Sequence, residues 1–138
     1  MGKVIAKLKL TNQADLVLKS RRLLKGRAPR TVEIEALVDT GATRLYLKPS
    51  VLRALGLRKS GTVNSRTTNG DRLRTVYEPV RLELMERHGV FEVVDLDERV
   101  PNLLGQIPLE YLDLIVDPKS QTLRPNPEHG DRQMSEEY

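Results

Sequence analysis

The feature that most constrains this chain is the alternation Val32, Ile34, Ala36, Val38, which runs without a break into Asp39 and then Thr40-Gly41-Ala42. Apolar side chains at every second position share one face of a strand, so residues 32–38 predict a half-buried β-strand. A carboxylate at the end of such a strand is costly to desolvate unless something uses it. Two readings of Asp39 follow. Its side chain caps the turn by bonding the backbone two residues on, or it is placed for chemistry.

The same period recurs along the chain. Residues 3–10 alternate Val4, Ala6, Leu8 and Leu10 against Lys3, Lys7 and Lys9, which predicts another half-buried strand. A second strand is expected over residues 15–23, and a short one at 44–47 after the Asp-Thr-Gly-Ala turn. Pro49 suits the first turn of a helix and Gly56 its C-terminal cap, so residues 49–56 predict a helix. "TTNGD" (residues 67–71) holds Asn-Gly between two strand-like runs, a strong hairpin signal. Residues 80–84 and 90–96 read as a strand pair. Leu103-Leu104-Gly105 leads into a short helix at 108–112, and residues 114–116 and 122–123 form a hairpin around Pro118. The sum is a mostly β domain over residues 1–124 with one or two short helices. Residues 125–138 are Pro, Gly and charge, with only Met134 and Tyr138 to bury, and are expected to form a disordered tail.

Composition narrows the chemistry. A chain of 138 residues is one domain, and with one Phe and no Trp its core must be built from Leu, Val and Ile. The absence of Cys excludes disulfides, thiolate metal sites and a cysteine nucleophile. The two histidines, His88 and His129, have no carboxylates at spacings that suit zinc. No apolar run approaches a membrane span, and the N-terminus lacks a signal peptide's apolar segment, so a cytoplasmic protein without a membrane partner is expected. The net charge of +4 is local: Lys19, Arg21, Arg22, Lys25, Arg27 and Arg30 occur within residues 19–30 with no acid among them. That segment could touch nucleic acid. No aromatics interleave for base stacking, so a solvated hairpin is the expectation and nucleic acid is not the expected partner.

The ordered set "ALVDTGAT", "LGL" (Leu55, Gly56, Leu57), "TTNGD" and "NLLGQIPLEYLDLIVDP" resembles the retropepsin-like aspartic proteases, the single-domain relatives of retroviral protease, and especially their bacterial members. The resemblance covers residues 32–125. It implies a closed acid-protease barrel that is active as a two-fold dimer. It further implies an aspartic endopeptidase acting on extended polypeptide, with no metal and no cofactor.

In that family two aspartates share one proton, because like charges in close contact cannot both ionise easily. One acts as base on a water while the other, protonated, polarises the scissile carbonyl. This chain carries one Asp-[Ser/Thr]-Gly, at Asp39, so the second aspartate must come from a second copy on a two-fold axis. By the same resemblance Thr40 bonds across the axis, while Gly41 and Ala42 complete the turn. Leu103, Leu104 and Gly105 would pack beneath that loop. Thr43 and Arg44 would line the substrate groove. Thr67, Thr68, Asn69, Gly70 and Asp71 would form the flap that closes over an added substrate strand.

Two departures from the family stand out. Retroviral enzymes commonly carry Asp two residues after the motif glycine, paired with Arg just after the second glycine; here Thr43 and Gln106 hold those places. The flap carries Arg66, Asn69, Asp71, Arg72 and Arg74 where glycine and aliphatics are usual. Arg44, Arg66, Arg72 and Arg74 either edge the groove and favour acidic substrates or simply face solvent. The rival to an enzyme is a silent dimer of the same fold that binds extended peptide, or nucleic acid through residues 19–30.

Overall fold

The structure is a computed structural model and describes residues 3–67 and 70–129. In chain order the elements are β1 (Ile5–Asn12), α1 (Gln13–Ser20), β2 (Thr31–Val38), β3 (Leu45–Leu47), α2 (Pro49–Leu55) and β4 (Lys59–Thr67). They continue with β5 (Gly70–Leu84), β6 (Arg87–Asp95), β7 (Leu103–Leu104), α3 (Gln106–Leu112), β8 (Leu114–Asp117) and β9 (Thr122–Pro125).

The strands join in the order β1-β2-β7-β3-β6-β5-β4, and β1 also pairs with β5, so the sheet closes on itself. This is the closed, mostly β barrel expected from the sequence. β5 serves two partners. Its first half pairs with β4 in an arm that leaves the ring, and its second half pairs with β6 and β1 inside it. β8 and β9 form a separate two-stranded sheet.

The alternation is realised in β1, where Ala6, Leu8 and Leu10 point inward and Ile5, Lys7 and Lys9 outward. With one Phe in the chain, the core is aliphatic: Leu8, Leu10, Leu45, Leu47, Leu82, Val80, Val93 and Leu104 are all fully buried. α2 starts on Pro49 and ends on Gly56, whose φ of +63° takes the left-handed cap. A Cβ there would also strike the Arg30 guanidinium.

One element differs in kind from the expectation. Residues 15–23 were expected as a strand. The chain instead forms α1, so the described residues hold three short helices rather than one or two. The physical reason lies at its start. The Asn12 side chain accepts from the Asp15 N–H at 3.1 Å, which caps the helix, and Asp15 stands in the first turn where a negative charge is favoured. Asn12 also donates its amide to the Leu55 carbonyl at 2.8 Å, fastening α1 to the end of α2.

The basic segment differs too. Residues 21–30 are not a hairpin but an irregular excursion tied back by Asp15. That carboxylate is 1% exposed and accepts paired bonds from Arg27 (2.8 and 3.0 Å) and Arg30 (2.9 and 3.1 Å), plus the Arg30 backbone N–H at 2.9 Å.

At the other end, Asn126 and His129 return to Asp113: the Asn126 backbone N–H bonds the Asp113 carbonyl, and both side chains bond its carboxylate. The rest of the expected tail, residues 130–138, lies outside the described residues.

Candidate active site

β2 delivers Asp39 to the edge of the barrel, and the turn that follows is built from that residue's own groups. The Gly41 N–H donates to Asp39 Oδ1 at 2.9 Å, and the Ala42 N–H to the Asp39 carbonyl at 3.1 Å. The turn-capping reading of Asp39 therefore holds locally. It does not consume the residue, because Asp39 stays partly exposed on the wall of a cavity of about 670 Å³. Gly41 lies close against the carboxylate: a Cβ there would stand 3.2 Å from Asp39 Oδ1, a tight contact that the side chain would have to yield to.

The segment 102–107 braces this loop from behind. β7 inserts between β2 and β3, pairing Val38 with Leu104 in parallel and Leu45 with Leu104 in antiparallel fashion. The Asp39 N–H then donates to the Leu104 carbonyl at 3.0 Å. The first N–H groups of α3 and the residue before it, which have no partner within the helix, take up the loop's carbonyls. Gly105 bonds Arg44 at 2.9 Å, Gln106 bonds Ala42 at 2.8 Å and Ile107 bonds Thr43 at 2.9 Å. A Cβ on Gly105 would stand 2.4 Å from the Arg44 carbonyl oxygen and 2.8 Å from that of Ala42, so only glycine fits.

Thr43 and Gln106, which replace the charged pair common in retroviral enzymes, are thus connected to the brace through backbone. The Gln106 side chain itself bonds Glu110 at 3.0 Å.

The cavity gathers Asp39, Gly41, Ala42, Thr43, Arg44 and Leu103 from the expected set. Thr40 is exposed at the apex of the turn, while Leu104 and Gly105 are buried behind it. Gly70 and Asp71 stand at the start of β5 and are not among the lining residues; Thr67 pairs with Gly70 at the end of the β4–β5 arm. Thr68 and Asn69 lie outside the described residues. The stem of that arm, rather than its end, borders Asp39, through Val63, Asn64, Ser65, Arg66 and Arg74.

Sequence reasoning missed Tyr46, Val63, Asn64 and Ser65 in this lining, and it missed Asn102 behind it. Asn102 is buried; its amide donates to the Glu35 carbonyl at 3.2 Å, its side-chain oxygen accepts from Lys48 N–H at 2.9 Å, and its own carbonyl accepts from Leu37 at 2.7 Å. A polar residue directly before an apolar pair was the available signal.

Electrostatics single out Asp15, remote from the cavity lining. Hydrogen bonds from Arg27 first, then Arg30, hold its carboxyl well below the ordinary carboxylate range against the opposing effect of burial. Two of the six cations in residues 19–30 are thereby committed to one buried acid. Among the described residues no group of three or more His, Cys, Asp or Glu is arranged to hold a metal ion. Among them, too, no helix is long and apolar enough to cross a membrane.

Comparison with known proteins gives a family. The sequence pattern of the family described as "Aspartyl protease" matches residues 24–106, more than half of the chain, and so spans Asp39, the β4–β5 arm and the 102–106 brace. Among solved structures, the EIAV protease complexed with the inhibitor HBY-793 is similar, at 22% identity and a TM-score of 0.49, over 56% of this chain and 74% of that one. No curated protein sequence matches. The chain belongs to the aspartyl protease family.

Proposed function

We propose that this chain is an aspartic endopeptidase that works as a homodimer, with Asp39 of each copy forming the catalytic pair. The observation that carries the reading is the setting of Asp39: a carboxylate on a cavity wall, on a loop whose carbonyls are held by the 105–107 N–H groups. Rigid placement of a reacting group by a buried scaffold is what catalysis of this kind needs. The chain supplies one such aspartate, so two copies are needed to bring two carboxylates together.

In that pair one carboxylate removes a proton from water as its oxygen forms a bond to the scissile carbonyl carbon. The partner, protonated, gives its proton to the carbonyl oxygen. The tetrahedral intermediate then collapses: the C–N bond breaks, the amine leaves with the proton taken from water, and the other carboxyl recovers its own. The pair titrates as a unit. The exposed Thr40 would meet its counterpart across the axis. The β4–β5 arm would act as the flap, with substrate laid beneath it as an added strand.

The test is a diverse peptide library incubated with the full chain and with Asp39→Asn, alongside sedimentation of both. Cleavage by the first and none by the second, with both sedimenting as dimers, is the expected result. Equal cleavage by both proteins, or a strictly monomeric active enzyme, would remove the mechanism.

A further inference from the structure

The cavity that holds Asp39 is lopsided in charge. Among the described residues three arginines line it, Arg44, Arg66 and Arg74, against a single carboxylate, Asp39 itself. The cations come from separate elements: Arg44 from the loop after the motif, Arg66 from β4 and Arg74 from β5. They therefore surround the space rather than forming a run on one strand. Arg44 and Arg74 are partly buried, where screening by water is weaker. Arg66 is paired with Asp71, but that pair is 3.9 Å apart and its side chains are 93% and 65% exposed. A contact so open to water contributes little and does not cancel the charge.

A concave site lined by one sign of charge concentrates ligands of the opposite sign. Guanidinium groups also match carboxylates geometrically, since two parallel N–H donors meet two oxygens. We infer that the preferred substrates carry Asp or Glu close to the scissile bond, with Arg44 and Arg74 as the specificity-determining residues. This rests on the proteolytic reading above, and in the dimer the excess would be present on both sides of the axis.

The test separates binding from cleavage. Full-length Asp39→Asn is titrated with fluorescent ten-residue peptides that differ only in carrying acidic, neutral or basic residues at the central positions. The acidic peptide is expected to bind at least about tenfold more tightly than the neutral one at low salt, with the ratio shrinking toward one at about 1 M salt. Arg44→Gln and Arg74→Gln, each added to Asp39→Asn, should lower the acidic-to-neutral ratio severalfold. Library cleavage by the unmodified protein should show Asp and Glu enriched at the same positions. Equal binding of acidic and neutral peptides at both salts overturns the inference even if the enzyme cleaves. Acidic preference in binding without cleavage by the unmodified chain leaves the inference standing and sinks the proteolytic reading instead.

Discussion

The backbone N–H of Asp39 donates to the carbonyl of Leu104 across 3.0 Å, joining the end of β2 to the short strand that lies between β2 and β3. That bond is joined by others running the opposite way, from the N–H groups of residues 105–107 to the carbonyls of Arg44, Ala42 and Thr43. The position of the Asp39 carboxylate is thus set by a segment distant in sequence, and disturbing that segment should be felt at Asp39.

Gly105→Ala is the direct disturbance. Its Cβ would stand 2.4 Å from the Arg44 carbonyl oxygen and 2.8 Å from both the Arg44 nitrogen and the Ala42 oxygen, all of them backbone atoms. Backbone cannot swing aside as a flexible side chain can, so the loop must shift as a unit. A loss of about 1–3 kcal/mol in urea unfolding is expected, the range for overpacking a close-fitted interior. Peptide cleavage should fall about 10²-fold or more, the scale of a misplacement near 1 Å. Unchanged stability would mean that the brace is looser than its contacts imply.

Gly41→Ala probes the same carboxylate from the other side. A Cβ 3.2 Å from Asp39 Oδ1 is a tight but not impossible contact, and the Gly41 N–H must keep its bond to that oxygen. The neighbour that has to give is the Asp39 side chain itself. Stability should therefore change by less than about 1 kcal/mol while turnover drops at least about tenfold, a split set by the small displacement of one reacting group. Comparable losses in both would indicate a folding defect rather than a displaced carboxylate.

Much of this arrangement was legible in the sequence. Alternation located β1 and β2, Pro49 and Gly56 bounded α2, and Asn-Gly marked the β4–β5 arm, because each signal is local and matches the physics of its element. Asp39 stood out as a carboxylate ending an apolar strand and Gly41 as the glycine of its turn, whereas Gly105 was picked out by the family resemblance.

α1 was expected as a strand, while the deciding features were the Asn12 cap and the two arginines that close on Asp15. Those arginines arrive from 12 and 15 residues away, and their charge read as a solvated run. The lining by Asn64 and Ser65 was hidden for a similar reason. It depends on how the β4–β5 arm leans over the loop, which register alone does not specify.

Asn102→Ala tests the support behind the loop. Its removal leaves the Lys48 N–H and the Glu35 carbonyl without the partners they have now. Deleting one side of a buried hydrogen bond costs about 1–3 kcal/mol, more than the bond's net worth, because the abandoned group stays desolvated. Thermal unfolding should show that loss. Asn102→Asp should not restore it, since a carboxylate can accept from Lys48 but cannot donate to Glu35. Full recovery by aspartate would show that the bond to Glu35 is dispensable.

Asp15 governs how the fold meets acid. In the folded chain Arg27 and Arg30 hold its carboxyl well below the usual range, whereas in the unfolded chain it titrates near the ordinary value of about 4. A depressed folded value means that the unfolded state takes up the proton first as pH falls. The stabilisation from Asp15 is therefore complete above about pH 5 and declines steadily below it. Asp15→Asn removes that dependence. At neutral pH it should cost about 2 kcal/mol, below the figure for a fully buried pair, because the two arginine side chains are 41% and 39% exposed and can rehydrate. Urea unfolding from about pH 7 down to about pH 3 should show the gap between the two proteins narrowing as the unmodified chain loses its advantage. Parallel stability curves across that range would mean that the arginines do not couple to Asp15 in solution.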